Sequence, residues 1–174
     1  DIDNFSNPLA VEYCDGTDNN CDGNIDEPSS IGTLTHYSDQ DGDGFGDDST
    51  AQQSCSVPAG DVLQGGDCDD TEANANPAMA EFCDGIDNNC DGSIDDGTAI
   101  DLTTWYADSD GDGYGDAANP SAACTVPVGY VANMLDCDDS TQLIAPNADE
   151  YCNQSDDNCN GVVDENSVDL TTWY

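Results

Sequence analysis

The segment Glu12-Tyr13-Cys14-Asp15-Gly16-Thr17-Asp18-Asn19-Asn20-Cys21-Asp22-Gly23 recurs almost unchanged at residues 81–92, and in more diverged form at residues 150–161. The segments between these copies repeat as well: residues 37–47 correspond to residues 106–116. Self-similarity at a fixed spacing is the signature of a repeat architecture. We therefore predict that residues 1–11 end one repeat, that 12–80 and 81–149 form two repeats, and that 150–174 begin another, as a section of a longer array.

The charge of the chain restricts its partners. Its 174 residues include 39 acidic side chains and no lysine or arginine, for a formal net charge of −39. Nucleic acids and anionic membrane surfaces attract basic residues, so neither is expected as a partner, and no apolar run is long enough for membrane insertion. Cations, basic proteins and glycans remain. Because such a charge opposes compaction, we expect bound cations in the folded state and disorder in their absence.

Many of the acidic residues fall in two loop types of the pattern D-x-[DN]-x-[DN]-G. Loop A occupies residues 18–26, 87–95 and 156–164, and loop B occupies residues 39–47 and 108–116. In such loops, side-chain oxygens at positions 1, 3 and 5 surround one side of a calcium ion, glycine at position 6 permits the turn, position 7 offers its carbonyl, and position 9 adds a carboxylate. The predicted ligands are Asp18, Asn20, Asp22, Asn24, Asp26, Asp39, Asp41, Asp43, Phe45, Asp47, Asp87, Asn89, Asp91, Ser93, Asp95, Asp108, Asp110, Asp112, Tyr114, Asp116, Asp156, Asn158, Asn160, Val162 and Asp164.

The loops depart from the EF-hand at position 12, where Ser29 and Thr50 replace the bidentate glutamate. Either the missing oxygens come from elsewhere, or the calcium affinity is lower. Two Asp-Cys-Asp-Asp segments could complete neighbouring sites or form a third site, and a solvated turn is the alternative; their acids are Asp67, Asp69, Asp70, Asp136, Asp138 and Asp139. We expect several Ca²⁺ ions per repeat. Copper prefers histidine or methionine ligands, whereas His36 is the only histidine and tryptophan stands at the equivalent position 105.

The ten cysteines indicate disulfides, because none lies in a C-x-x-C arrangement. Each repeat has four, which leaves three pairings open. We favour a scheme without unpaired cysteines: Cys14–Cys21, Cys83–Cys90, Cys152–Cys159, Cys55–Cys68 and Cys124–Cys137. Pairing between neighbouring repeats, such as Cys68–Cys83, would leave Cys14 alone. Disulfides imply an oxidising compartment, so we expect an extracellular or cell-surface location.

Little of the chain is apolar enough to form a core. Residues 34–37, 102–106 and 170–174 are rich in threonine and aromatic residues and are predicted strands, with residues 61–64 and 129–134 as partners. Trp105, Trp173 and Tyr130 are expected to pack as core, and Ile25, Ile94 and Val163 to face inward. The predicted fold is a disulfide- and calcium-stabilised linear array of small irregular β repeats with short hairpins and little helix.

These patterns resemble the MopE-type metal-binding repeat of secreted bacterial proteins. The resemblance rests on Cys14 to Gly23, on residues 106–116 and on residues 136–139, and it covers essentially the whole chain. The acidic loops are also similar to thrombospondin type 3 repeats, which implies extracellular calcium-dependent scaffolding.

The first functional hypothesis is a structural protein: a building block of a surface fibre, filament or stalk, whose partners are copies of itself or further repeats. A calcium-dependent adhesin or metal-binding surface module is the alternative, with glycans as possible ligands. We expect no enzyme, because the sequence offers no Ser-His-Asp set, no HExxH and no phosphate-binding loop.

Overall fold

A computed structural model describes residues 6–169. It contains short strands, one 3₁₀ turn and many irregular loops, as a small disulfide-stabilised β repeat fold. The elements are β1 Leu34–Ser38, β2 Gly46–Asp47, the 3₁₀ turn Asp48–Thr50, β3 Gln52–Ser54, β4 Asp61–Val62, β5 Gly65–Asp67, β6 Thr103–Ala107, β7 Asp116–Ala123 and β8 Tyr130–Val131. The chain divides into two compact units, Asp1–Ile94 and Asp95–Tyr174.

The first unit is built on an antiparallel sheet in the order β3-β1-β4. Tyr37 pairs with Val62, so the predicted pairing of this strand with the segment after residue 60 is confirmed. A second pair, β2 with β5, runs parallel and places Gly46 opposite Gly65. This pairing brings the end of loop B next to the Asp-Cys-Asp-Asp segment, because β5 ends at Asp67, the first residue of that segment.

The second unit repeats this plan in the order β7-β6-β8. Tyr106 pairs with Val131, which confirms the predicted partner of that strand. The parallel pair is reduced to a bridge between Asp116 and Asp136. A Cβ atom on Gly115 would lie 2.6 Å from the Asn133 carbonyl oxygen and 2.7 Å from Tyr106 Cβ, so only glycine permits this approach of loop B to the sheet. The predicted strand at residues 170–174, including Trp173, lies outside the described residues.

The interior is polar. Within the described part of the chain, the buried apolar side chains are Ala75, Ala99 and Ala145, whereas the largest fully buried ones are His36, Glu81 and Asn88. The prediction of a thin core agrees with this arrangement. Trp105 and Tyr130, which were predicted to pack as core, are only half-buried. Burial of apolar area therefore stabilises the fold little, and other interactions must compensate for the ordering of the chain.

The predicted inward orientation at loop position 8 is wrong. Ile25, Ile94 and Val163 are 59%, 62% and 52% exposed. In residues 6–169, the buried side chains in and just before loop A are acids and amides, such as Glu12, Asn19 and Asp157, and not these apolar ones.

The predicted disulfide scheme is also wrong. The bridges are Cys14–Cys55, Cys68–Cys90 and Cys137–Cys159, which close 41, 22 and 22 residues, and Cys83 and Cys124 are disulfide-bonded too. Cys21 and Cys152 have free, exposed thiols among the described residues. In Cys68–Cys90 and Cys137–Cys159, the Asp-Cys-Asp-Asp segment is joined to the loop A that follows it. Avoiding unpaired cysteines was the wrong criterion, because two bridges run from one repeat into the next and Cys21 and Cys152 stay unpaired in the described residues.

No helix among the described residues is long and apolar enough to cross a membrane.

Candidate metal centres

All five loops share one pattern of local hydrogen bonds. The backbone N–H at position 5 donates to the side chain at position 3, glycine at position 6 donates to the aspartate at position 1, and position 7 donates to position 5. The bond from glycine to position 1 measures 2.7–3.2 Å. Each carboxylate oxygen has two lone pairs, so these bonds orient the side chains and leave oxygen capacity for a cation.

In loop A, the side chain at position 9 accepts hydrogen bonds from a turn that precedes the loop. Asp26 Oδ1 accepts the backbone N–H groups of Asp15 and Gly16, and Asp164 Oδ1 accepts those of Asn153 and Gln154. The three equivalent residues Asp26, Asp95 and Asp164 share a left-handed φ of 55°, 53° and 60°. One carboxylate oxygen at this position is thus engaged in holding the preceding turn.

The residue after position 9 faces the loop instead. Glu27 Oε1 accepts from Asn20 Nδ2 at 3.0 Å, and Glu165 Oε1 accepts from Asn158 Nδ2 at 3.1 Å. The second oxygen of each glutamate is buried and has no hydrogen-bond partner among the described residues, as is also true of Asp18 Oδ1. The sequence reasoning missed these glutamates, although an acid stands at this place in every copy as Glu27, Asp96 and Glu165.

A second group of acids was missed because it precedes the loops. Glu12, Glu81 and Glu150 are 4%, 1% and 4% exposed. Their carboxylates accept backbone N–H groups inside loop A, for example from Asp164 to Glu150 Oε1 at 2.9 Å. A buried carboxylate that accepts several backbone N–H groups acts as a local scaffold. The glutamate that opens every copy of the repeat is the signal that could have identified them.

Loop B brings its first three acids together. One carboxylate oxygen from each of Asp39, Asp41 and Asp43 lies within 4.8 Å of the others, and Asp108, Asp110 and Asp112 form the equivalent cluster. Asp41 Oδ2, Asp110 Oδ2 and Asp112 Oδ2 are buried without a hydrogen-bond partner in residues 6–169.

Position 9 of loop B points to a neighbouring turn. Asp47 caps the 3₁₀ turn by accepting from Ser49 N at 2.7 Å and from Ser49 Oγ at 2.5 Å, which lowers the pKa of Asp47. Asp116 accepts from Ala118 N and from Asn119 Nδ2. Both carboxylates therefore interact with the residues that follow the loop.

The Asp-Cys-Asp-Asp segments lie beside loop B. Asp67 and Asp136 are each 7% exposed, and one oxygen of each finds no partner among the described residues. Asp70 accepts the Gln40 N–H at 2.9 Å, and Asp139 accepts from Ser109 N and Ser109 Oγ, both at 2.6 Å.

The middle acids of these segments lie elsewhere. Asp69 and Asp138 each bind the hydroxyl two residues later, at 2.6 Å. They line shallow clefts together with the first aspartate of the following loop A, Asp87 and Asp156 respectively.

The electrostatics around loop B reflect crowding of like charges. Burial raises the pKa of Asp67 above 3.8, and the charges of Asp43, Asp41 and Asp70 add to the effect. Burial likewise raises the pKa of Asp136, with contributions from Asp112, Asp110 and Asp139. The raised pKa means that ionisation is opposed until a cation balances the charge.

The donors suit a hard cation and not copper. His36 is 2% exposed, and its Nδ1 and Nε2 lie 2.5 Å from Asp61 Oδ2 and 2.9 Å from Ser54 Oγ. Sulfur atoms of Cys137 and Cys159 approach Asp136, but they form a disulfide and offer no thiolate. Clustered carboxylate oxygens are the ligands of calcium and related hard ions.

His36 also corrects one expectation: no Ser-His-Asp set was predicted, but the structure brings Ser54, His36 and Asp61 within hydrogen-bond distance. The ring is buried, and the Ser54 hydroxyl also donates to the Ser56 carbonyl. In the second unit Trp105 occupies the equivalent position and donates its indole N–H to the Ala123 carbonyl at 3.1 Å. Both side chains tie the central strand to its neighbour.

Comparison with known proteins identifies a family for three stretches of the chain. The copper-binding MopE family model, with the description "Putative metal-binding motif", matches residues 1–27, 67–96 and 136–165, together half of the chain. Each match ends with loop A and its following acid, and the second and third begin at Asp-Cys-Asp-Asp. Loop B lies outside the matched residues. No curated protein and no solved structure matches the chain.

Proposed function

Because the chain belongs to the family of the MopE metal-binding motif, we propose that it is a calcium-binding structural repeat protein of the extracellular space. In this proposal the cations form part of the fold, and the repeats build a surface fibre, filament or stalk. The role is structural and not catalytic.

One observation carries the proposal: buried carboxylate oxygens converge without donors in a chain that has no lysine or arginine. A buried, unpaired carboxylate is costly, since it has lost its hydration and gained no partner. The chain's own side chains cannot supply counter-charges to these oxygens, because its single histidine, His36, contacts Asp61. Cations from outside are therefore needed, and the oxygen-only donors favour calcium over copper.

The structural role follows from the thin core. The fold has three buried apolar side chains within its described part, all alanine. Small units of this kind are stabilised by metals and disulfides. Each unit has disulfides and candidate metal loops, and calcium at millimolar concentration outside cells suits loops that lack the bidentate position-12 glutamate. Disulfides are typical of oxidising compartments, which supports an extracellular location.

Calorimetry and circular dichroism of the oxidised protein test the proposal. We expect Ca²⁺ to bind in several equivalents and to increase ordered structure, EGTA to reverse the change, and Cu²⁺ to produce no comparable ordering. Small-angle scattering should then show a particle that contracts with calcium relative to EGTA. Ordering by Cu²⁺ alone would show that the oxygen-donor argument is wrong.

A further inference from the structure

We propose that loop B of the second unit takes part in a site for two adjacent calcium ions, in which Asp110 bridges the ions and Asp136 and Asp139 hold the second one. The inference rests on the proposed function, since it requires that the chain binds calcium. It assigns a role to loop B, which lies outside the residues matched by the family model.

The first step is geometric. Two groups of carboxylate oxygens lie within 4.8 Å of one another: Asp108 with Asp110 and Asp112, and Asp110 with Asp136 and Asp139. Opposite ligands of a calcium ion are about 4.6–5.2 Å apart, twice the usual calcium–oxygen distance. Each group therefore has the size of one coordination shell. Because Asp110 belongs to both, two shells share this carboxylate.

The second step is burial. Asp136 is 7% exposed; its Oδ1 accepts the Asp138 N–H at 2.9 Å, while its Oδ2 is buried and finds no donor within the described residues. Asp110 Oδ2 is likewise buried and has no donor among the described residues, whereas Asp110 Oδ1 accepts the Asp112 N–H. Asp136 does not belong to the group formed by Asp108, Asp110 and Asp112; within 4.8 Å it is grouped with Asp110 and Asp139. A second cation beside Asp110 satisfies both oxygens.

The third step is charge. Asp108, Asp110, Asp112, Asp136 and Asp139 carry five negative charges, and the chain has no lysine or arginine to balance them. One divalent cation neutralises two of these charges and two cations neutralise four. Ser109 contributes to the assembly: its N–H and hydroxyl both bind Asp139 at 2.6 Å, which holds that carboxylate against the start of loop B.

The first unit provides an internal comparison. There, Asn76 donates to Asp43 Oδ2 at 2.6 Å, whereas Ala145 replaces Asn76 in the second unit and leaves Asp112 Oδ2 without a partner in the described structure. Among the described residues, the first unit forms the cluster of Asp39, Asp41 and Asp43 but no second cluster within the same distance. Asp41 Oδ2 and Asp67 Oδ2 are buried without a partner there too, but the oxygens of Asp41, Asp67 and Asp70 do not form a group within 4.8 Å in the described residues. From this difference in distance we expect one ion at loop B of the first unit and two at loop B of the second.

Native mass spectrometry of the full oxidised chain at saturating Ca²⁺ tests the inference. Asp139→Asn should lose one ion, because Asn keeps an acceptor for the Ser109 N–H and removes the charge from the second shell only. Asp110→Asn should lose both ions of the site. Asp149→Asn, an exposed acid outside every loop, is the matched control and should retain the full number.

The outcomes separate the two claims. If Asp139→Asn keeps every ion and only binds calcium more weakly, the site holds a single ion and the inference is overturned. If the unsubstituted chain binds no calcium, the proposed function fails instead. Circular dichroism of each calcium-loaded variant checks folding; should Asp110→Asn unfold, the count for Asp139→Asn still decides.

Discussion

The bridge Cys68–Cys90 gives the sharpest test of how the repeats are joined. Replacing both cysteines with serine opens a loop of 22 residues. In the chain-entropy model, a bridge that closes a loop of this size stabilises the folded state by about 3.4 kcal/mol, because it lowers the conformational entropy of the unfolded chain. Removing the bridge restores that entropy. We expect the calcium-loaded double variant to lose about this much stability. The loop of 41 residues closed by Cys14–Cys55 predicts a larger loss, about 3.9 kcal/mol, for that double variant.

Cys21 supplies the matched control, because it is the equivalent of Cys90 in the first copy of the motif but has a free thiol. Cys21→Ser should change the unfolding free energy by less than about 0.5 kcal/mol, as is usual for an exposed position. If Cys21 were bonded to Cys14, as adjacent pairing requires, the same substitution would remove a short bridge that contributes about 2.4 kcal/mol.

Urea unfolding at saturating calcium, followed by circular dichroism, measures these differences, and thiol titration of the denatured protein counts reactive cysteines. Cys68→Ser alone should add one thiol, from Cys90, whereas Cys21→Ser should remove one. The reasoning is refuted if Cys21→Ser destabilises the chain as much as the double variant and a new thiol appears at Cys14.

Three further predictions follow from the buried acids and the close backbone contacts. Burial raises the pKa of Asp67 and Asp136 above 3.8, so these two groups bind more protons in the folded metal-free chain than in the unfolded one. In calcium-free buffer, ordered structure by circular dichroism should therefore increase as the pH falls from about 7 to about 4, and a decrease would contradict this. The calcium-loaded chain should respond in the opposite sense, because protons compete with the metal. Glu150 accepts two loop A N–H groups, one on each oxygen, and Glu150→Gln replaces one of these oxygens with an amide donor. The substitution should cost about 1–3 kcal/mol in urea unfolding, and an unchanged midpoint would exclude the scaffold role. Gly115→Ala should lower the melting temperature, because its Cβ meets the backbone at 2.6 Å, while Gly97→Ala, with nothing within 4 Å, should be nearly neutral; equal effects would contradict the close approach.

The strands of each unit could be predicted where aromatic and threonine residues mark them. Residues 34–37 and 102–106 became the central strands, and their partners near residues 61 and 130 were also correct. The other sheet neighbours were not foreseen. β3 is the polar sequence Gln52–Ser54, and β7 contains proline, so neither shows a strand signal. Their pairing comes from the turn geometry of each unit, which residue type alone does not reveal.

The candidate sites were predictable where the pattern is local. The spacing of positions 1, 3 and 5 predicts their grouping in loop B, and the clusters of Asp39, Asp41 and Asp43 and of Asp108, Asp110 and Asp112 show it. Contacts across about 30 residues, such as Gln40 with Asp70, depend on a parallel pairing that local patterns do not encode. The orientation at position 9 was unpredictable for another reason: Asp26 satisfies the turn at Asp15 and Gly16, and that turn belongs to an earlier segment.

The bridge Cys68–Cys90 also determines how far this part of the chain can lengthen under tension. Its Cα atoms lie 5.5 Å apart although 22 residues separate them. A pulling force along the backbone passes through the disulfide, so the enclosed segment bears no load. In a stretching experiment, reduction of this one bridge would release about 70 Å of additional contour length, since an extended residue spans about 3.3–3.6 Å. The segment between Cys68 and Cys90 would thus resist extension in an oxidising medium and extend under force in a reducing one.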